Sequence, residues 1–124
     1  MDITPYVAPE RQLIQGYGDG GFRISGVRHE GSVLVFPDRT LAWPVAAFAD
    51  LRADDLAPIR EAGQAVEVLL LGCGPKQVLL PSALRAELRA AGIVVDVMDT
   101  GAACRTYNVL LSEDRLVAAA LIAV

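Results

Sequence analysis

Apolar runs and amphipathic segments alternate along the second half of the chain, a pattern typical of β-α-β units. The apolar runs predict three strands, over residues 66–71, 93–98 and 116–122. A helix of residues 82–91 lies between the first two strands and is closed by Gly92. A second helix is predicted from the cap at Asp99-Thr100 to about Leu111. The first two strands are therefore predicted to be parallel and joined by a right-handed crossover.

The first half is richer in glycine and predicts turns and short strands. Residues 22–36 predict an antiparallel β-hairpin, because two apolar stretches flank the turn residues His29-Glu30-Gly31. The glycine-rich segment 16–21 predicts a hairpin turn or a loop. The remaining predictions are an extended lead-in over residues 1–15, a partly extended stretch over 43–48, and a short helix from Asp54-Asp55 to about Gly63. The pattern as a whole predicts an α/β fold.

Composition and charge narrow the class of protein. The chain has 124 residues, of which 53% are hydrophobic, so a single globular domain over residues 1–124 is expected. A net charge of -4 argues against nucleic-acid binding. The apolar run Leu116 to Val124 is far shorter than the roughly twenty residues of a membrane helix, and the N-terminus lacks the pattern of a secretory signal. We therefore expect no transmembrane segment and a cytoplasmic location.

Few side chains suit metal binding or catalysis. His29 is the single histidine, and Cys73 and Cys104 are too few for a disulfide framework or a cysteine zinc site. We expect no metal and no cofactor. Cys104 falls in the first turns of a predicted helix, where a thiolate is favoured, but thiol catalysis also needs a nearby base. No catalytic residue is predicted, although a weak enzymatic activity stays open.

One candidate site follows from the predicted topology. The carboxyl ends of neighbouring parallel strands lie about 5 Å apart, so the loop after residue 71 and the loop after residue 98 should face each other. Amides at a helix start, the helix dipole and one ammonium would suit a carboxylate or phosphate. Ordinary turn and cap chemistry explains the same residues. The candidate anion-binding residues are Gly72, Cys73, Gly74, Lys76, Asp99, Thr100, Gly101 and Cys104.

Two further residues are candidates for contact with a protein partner. Trp43 lies beside Pro44, where an aromatic side chain anchors a partner or packs in the core. Arg105 falls on the helix face opposite the apolar positions, where it either contacts a partner or is solvated. Both alternatives stay open for each residue at this point.

The last third of the chain carries a distinctive run of residues, Asp99–Leu110, followed by Glu113-Asp114-Arg115 and Ala118–Ile122. With Gly16–Phe22, Trp43, Leu71–Gly74 and Gly92-Ile93 upstream, this run resembles the Mth-like family of unknown function. The resemblance implies a three-layer domain with a mixed central sheet and no settled enzymatic activity. Members usually have Thr at the position of Cys73, which argues against a required thiol there.

Two functional hypotheses follow. In the mitochondrial relatives the resemblance implies assembly of respiratory complex I through protein contacts. The first hypothesis is therefore a non-catalytic protein-interaction or assembly domain with an unidentified protein partner. The alternative is a small-anion-binding or weakly enzymatic domain with its site at the two strand-end loops.

Overall fold

The computed structural model describes residues 11–124, so most of the predicted lead-in over residues 1–15 lies outside the described residues. Eight strands are present: β1 (Ile14–Gly18), β2 (Gly21–Ile24), β3 (Val27–Glu30), β4 (Val33–Phe36), β5 (Arg39–Ala42), β6 (Val68–Gly72), β7 (Val94–Met98) and β8 (Val117–Leu121). The α-helices are α1 (Ala57–Ala62), α2 (Ser82–Ala90) and α3 (Thr100–Ser112). The strands and helices of the second half match the predicted ones to within two residues.

The central sheet has five strands in the order β5-β4-β8-β6-β7. Strand β6 is parallel to both β7 and β8, whereas β4 is antiparallel to β5 and β8. This arrangement confirms the mixed central sheet and settles the direction of the last strand. All five residues of β8 are buried, and its alanines at 118–120 leave room for the layers on both faces.

Two separate hydrophobic clusters cover the two faces of this sheet. Because side chains alternate along a strand, Leu69 and Leu71 point to one face and Leu70 points to the other. The first cluster takes in Ile59 of α1 and Leu88 of α2. The second packs α3 and the small sheet of β1, β2 and β3 against the opposite face. The predicted three-layer α/β fold is therefore confirmed.

The predicted hairpin over residues 22–36 is wrong. Strand β2 pairs with β3 through a two-residue turn at Ser25-Gly26, whose φ angles are 46° and 84°. His29 and Glu30 therefore lie in a strand and not in a turn. Strand β4 does not join the sheet of β1, β2 and β3. It pairs with β8, which lies more than eighty residues further along the chain. Such a long-range pairing leaves no local signal in the sequence.

The other turn predictions differ less from the structure. Asp19-Gly20 turns β1 into β2 with φ angles of 54° and 77°, so the glycine-rich segment does contain a hairpin turn. The stretch over residues 43–47 is not a strand. A 3-10 turn over residues 53–56 precedes α1, and Asp55 caps it by accepting the Arg52 N–H at 2.9 Å.

Candidate functional site

The two strand-end loops lie side by side, as the parallel topology predicts. We call them the carboxyl rim, which comprises residues 72–74 and 99–101. Gly72 is in register with Met98, and the Cys73 N–H donates to the Met98 carbonyl at 2.9 Å. The Thr100 N–H donates to the Gly74 carbonyl at 2.8 Å. These bonds link the two loops directly.

Thr100 joins three chain segments at this rim. Its side chain is completely buried, and its hydroxyl donates to the Ile122 carbonyl at 2.7 Å. The same oxygen accepts the Gly74 N–H at 3.0 Å. A Cβ on Gly72 would lie 3.0 Å from the Thr100 Cα, so this close packing requires glycine there. The threonine is therefore a structural residue whose polar atoms already have partners.

Three amides at the start of α3, those of Thr100, Ala102 and Ala103, are also satisfied from within the protein. The Asp99 carboxylate accepts the Ala102 N–H at 2.9 Å, and the Asp99 carbonyl accepts the Ala103 N–H at 3.0 Å. The Tyr17 side chain packs directly over Gly101, because a Cβ on Gly101 would lie 2.6 Å from the Tyr17 hydroxyl oxygen. The amides of Thr100, Ala102 and Ala103 therefore have no hydrogen left to donate to an anion, so this geometry gives the anion hypothesis no support.

Cys73 holds its loop together. Its Sγ is buried, lies 3.0 Å from the Lys76 carbonyl oxygen and 3.2 Å from the Met98 carbonyl oxygen, and accepts the Val78 N–H at 3.1 Å. The Lys76 side chain is exposed. The thiol thus serves as a hydrogen-bond partner for backbone groups of this tight loop and is not exposed to solvent.

Cys104 does not form part of an exposed site. Its side chain is 2% exposed and packs in the cluster beneath α3. Burial raises the pKa of its thiol to about 12, more than the neighbouring Arg105 lowers it. The thiolate that a helix start favours is therefore not formed at neutral pH, and the geometry gives the prediction of Cys104 as a ligand-binding residue no support.

The two candidate partner contacts have different outcomes. Trp43 is 4% exposed, and its indole N–H donates to the Asp55 carbonyl at 2.8 Å. It is a core residue that positions the segment before α1, as in the core-packing alternative left open by the sequence, and little of its surface is left for a partner. Arg105 is exposed and donates to the Tyr17 hydroxyl at 3.0 Å. Its side chain is accessible to a partner.

Residues 11–124 contain no group of three or more histidine, cysteine or acidic side chains placed to hold a metal ion. Within the same residues, no helix combines the length and the apolar character needed to cross a bilayer. His29, in β3, is at the edge of the small sheet.

A cavity of about 400 Å³ lies at the other end of the central sheet. Phe36 lies at the end of β4, and Leu116 directly precedes β8. We call this end of the central sheet the amino rim, because β6 and β8 begin here. The Arg39 guanidinium lies over the Phe36 ring, 4.1 Å from its centre. This cavity is not predicted from the sequence. The residues that line the cavity come from four separate segments of the chain, so no single stretch of sequence indicates it. The turn at Pro37-Asp38 is the one feature of the lining that the sequence displays locally.

Comparison with known proteins places the chain in a family. A relative from Danio rerio, named NADH dehydrogenase (ubiquinone) 1 alpha subcomplex assembly factor 3, is 39% identical over 122 residues, which cover 98% of this chain and 70% of the relative. Of the solved structures, one from Bartonella henselae, described as an outer membrane protein, has a TM-score of 0.86 and 41% identity, with 93% of this chain and 97% of that chain covered.

A second solved structure is the Mth938-like domain from Bordetella pertussis, with a TM-score of 0.83, 30% identity, and coverage of 98% of this chain and 92% of that chain. Residues 14–122 also match the sequence profile of a family. This match begins in β1 and ends just after β8, so it includes both sheets and all three helices. The chain therefore belongs to the family described as protein of unknown function (DUF498/DUF598).

Proposed function

We propose that this chain is a non-catalytic protein-interaction domain that helps to assemble the ubiquinone-linked NADH dehydrogenase, respiratory complex I. The observation that carries the proposal is the 39% identity, over 98% of the chain, to a relative named as an assembly factor of that enzyme. Similarity over nearly the whole chain means that both proteins share one fold. An assembly factor acts by binding proteins, so the chain has at least one protein partner.

The structure supports a binding role more than a catalytic one. At the carboxyl rim, the hydroxyl of Thr100 and the carboxylate of Asp99 are engaged in hydrogen bonds to the backbone. Both thiols are buried. A catalytic group needs to reach a substrate with its polar atom, and these groups stabilise the fold with theirs.

The outer face of α3 is the surface that we assign to the partner. Arg105 and Val109 lie one helical turn apart, and Val109 is 50% exposed. Tyr17 is 44% exposed and lies next to Arg105 through their hydrogen bond. Tyrosine and arginine are frequent energetic anchors of protein interfaces, because each combines a large contact area with polar atoms.

A cytoplasmic location completes the proposal. Cys73 and Cys104 are both unpaired thiols, which fits a reducing compartment. Complex I is a membrane enzyme, so we propose that the domain acts on the cytoplasmic side, where soluble parts of that enzyme are put together.

A gene deletion tests the assembly role. In the organism that encodes this chain, we expect deletion to lower NADH:ubiquinone activity of isolated membranes and the amount of complex I on native gels. Succinate oxidation should stay unchanged, because it does not use complex I. Normal complex I in the deletion strain would contradict the proposal.

Matched charge reversals locate the surface. Arg105→Glu should fail to restore complex I in the deletion strain, since it reverses the charge on the outer face of α3. Arg89→Glu should restore it fully, because Arg89 is an exposed arginine of α2 on the opposite layer. Both variants are first compared by circular dichroism to show that they fold. Equal restoration by both would remove Arg105 from the interface.

A further inference from the structure

The cavity at the amino rim has the size and composition of a ligand site. Its volume of about 400 Å³ falls within the range of about 300 to 1,000 Å³ that holds small molecules. The residues around it include Arg11, Phe36, Asp38, Arg39, Ala62 and Leu116. No residue of this set belongs to the carboxyl rim or to the outer face of α3.

The walls of the cavity are mainly apolar. Ala62 ends α1 and Ala65 lies in the turn after it, and these small side chains leave space above the end of the sheet. Leu116 is 47% exposed beside them and adds an apolar side chain to this wall. A short apolar chain placed here would cover Leu116 and gain free energy from the apolar surface removed from water.

Two arginines, Arg11 and Arg39, lie at the edge of the cavity. Arg39 donates to Asp38 at 3.1 Å and Arg11 donates to Asp114 at 3.3 Å. The side chains of these carboxylates are 76% and 86% exposed, so water competes strongly for them. A guanidinium has five N–H donors, and each of these pairs engages only one guanidinium nitrogen, so donors remain for another anion.

Arg39 is held in place before any ligand arrives. The carbon of its guanidinium lies 4.1 Å from the centre of the ring of Phe36, which is its cross-strand neighbour in the β4–β5 hairpin. Phe36 is 2% exposed and fixed in the core. A planar, fixed guanidinium is suited to bidentate binding of a carboxylate, because little rotational freedom is lost on binding.

We propose that the cavity at the amino rim binds a carboxylate carried on a short apolar chain. The carboxylate pairs with Arg39 and the chain lies against Ala62, Ala65 and Leu116. The source is either a free short-chain carboxylic acid or a carboxylate next to an apolar side chain in a peptide. This ligand site goes beyond the assembly role, and it is tested on the purified chain, so failure of one proposal is distinguishable from failure of the other.

The test is titration of the full chain with hexanoate, followed by 1H–15N NMR spectra. We expect saturable shifts of the amides of Ala62, Ala65 and Leu116. Hexanol has the chain without the charge and acetate has the charge without the chain, so each should bind at least tenfold more weakly than hexanoate. Equal binding of hexanol, or no saturable shift with hexanoate, would overturn the proposal.

Variants assign the binding to these residues. Arg39→Gln should weaken hexanoate binding by at least about tenfold, because it removes one charge-assisted pair. Arg23→Gln, at an exposed arginine of β2 on the small sheet, should leave the affinity unchanged. Ala65→Leu keeps all charges but fills the space, and it should also block binding. Unchanged affinity in both Arg39→Gln and Ala65→Leu would exclude this cavity.

A competition experiment identifies the source of the carboxylate. An acetylated Leu-Glu dipeptide amide is titrated against the hexanoate complex. Displacement at concentrations below that of hexanoate would assign the site to a protein segment, whereas displacement only at higher concentrations would assign it to a free acid. Either outcome supports the carboxylate site.

Discussion

The two ends of the central sheet use their polar side chains in opposite ways. At the carboxyl rim, Thr100 is completely buried and its hydroxyl has two backbone partners. At the amino rim, Arg39 and Arg11 pair with carboxylates that are mostly exposed. Glycines and helix caps thus indicate where the chain turns. Whether a polar group is free to bind something depends on what packs around it.

The difference also has an energetic side. A buried polar group without a partner costs about 1 to 3 kcal/mol, so the bonds of the carboxyl rim are stabilising as long as they are complete. An exposed ion pair contributes about 0 to 1 kcal/mol, so those of the amino rim are easily exchanged. We therefore expect mutations at the first rim to affect stability and mutations at the second to affect binding.

The largest expected effect is that of Thr100→Val, which has nearly the same shape but no hydroxyl. It leaves the Gly74 N–H and the Ile122 carbonyl buried without a partner, and should lower the free energy of unfolding by about 2 to 4 kcal/mol. Urea denaturation measures this change. Thr100→Ser, which keeps the hydroxyl, serves as the control and should recover most of the loss. A Thr100→Val variant as stable as the wild type, with the loss confined to Thr100→Ser, would mean that the methyl group matters and the hydrogen bonds do not.

The second prediction concerns pH and the buried thiol of Cys104. Its ordinary pKa of 9.0 is raised by burial to about 12, so above pH 9 the unfolded state loses this proton while the folded state keeps it. The free energy of unfolding should therefore fall as the pH rises above 9, by about 1 kcal/mol per pH unit from this group.

Cys104→Ala isolates this contribution. Urea denaturation at pH 9 and at pH 10 should give a smaller decrease in the variant than in the wild type. Burial also raises the pKa of Tyr107 above its ordinary value of 10.0, so its contribution has the same sign but begins at higher pH. An identical slope in wild type and variant would show that Cys104 is exposed to solvent.

A smaller effect on stability is expected for Tyr17→Phe, which removes the hydroxyl group that packs over Gly101. The variant loses the hydrogen bond from Arg105 to the Tyr17 hydroxyl, which measures 3.0 Å and lies at the surface. We expect a loss of less than about 1 kcal/mol, measured by thermal denaturation. A double-mutant cycle with Arg105→Ala should show that the two changes are coupled. Additive losses would contradict a contribution of this bond to stability.

The smallest expected effect is that of inorganic phosphate at the carboxyl rim. Because the amides of Gly74, Thr100 and Ala102 already donate within the protein, phosphate should not raise the melting temperature through this rim. Wild type and Lys76→Ala should therefore respond identically. A rise that is lost in Lys76→Ala would restore the anion-binding hypothesis for this end of the sheet and remove the contrast between the two rims.

Much of the second half of the fold follows from local pattern. The runs that form β6 and β7 are apolar, and Asp99 and Gly92 mark helix ends by chemistry that acts within a few residues. The same local logic correctly brought Gly74 and Thr100 together, because neighbouring parallel strands end at the same edge. It failed at β4, whose partner β8 is distant in the chain, and it left two alternatives open at Trp43, whose indole N–H bonds to Asp55 only in the folded chain.

The α/β class, the helical crossover and the family follow from the order of residues, since hydrophobic periodicity and short motifs record local geometry. Which polar groups are satisfied, and where a cavity is left, depends on how the folded chain packs. Hydrogen bonds such as that from Thr100 to Ile122, and the meeting of Arg39 with Ala62 and Leu116, join segments that are far apart in the chain. Their geometry is fixed by packing of the whole domain, and no local pattern encodes it.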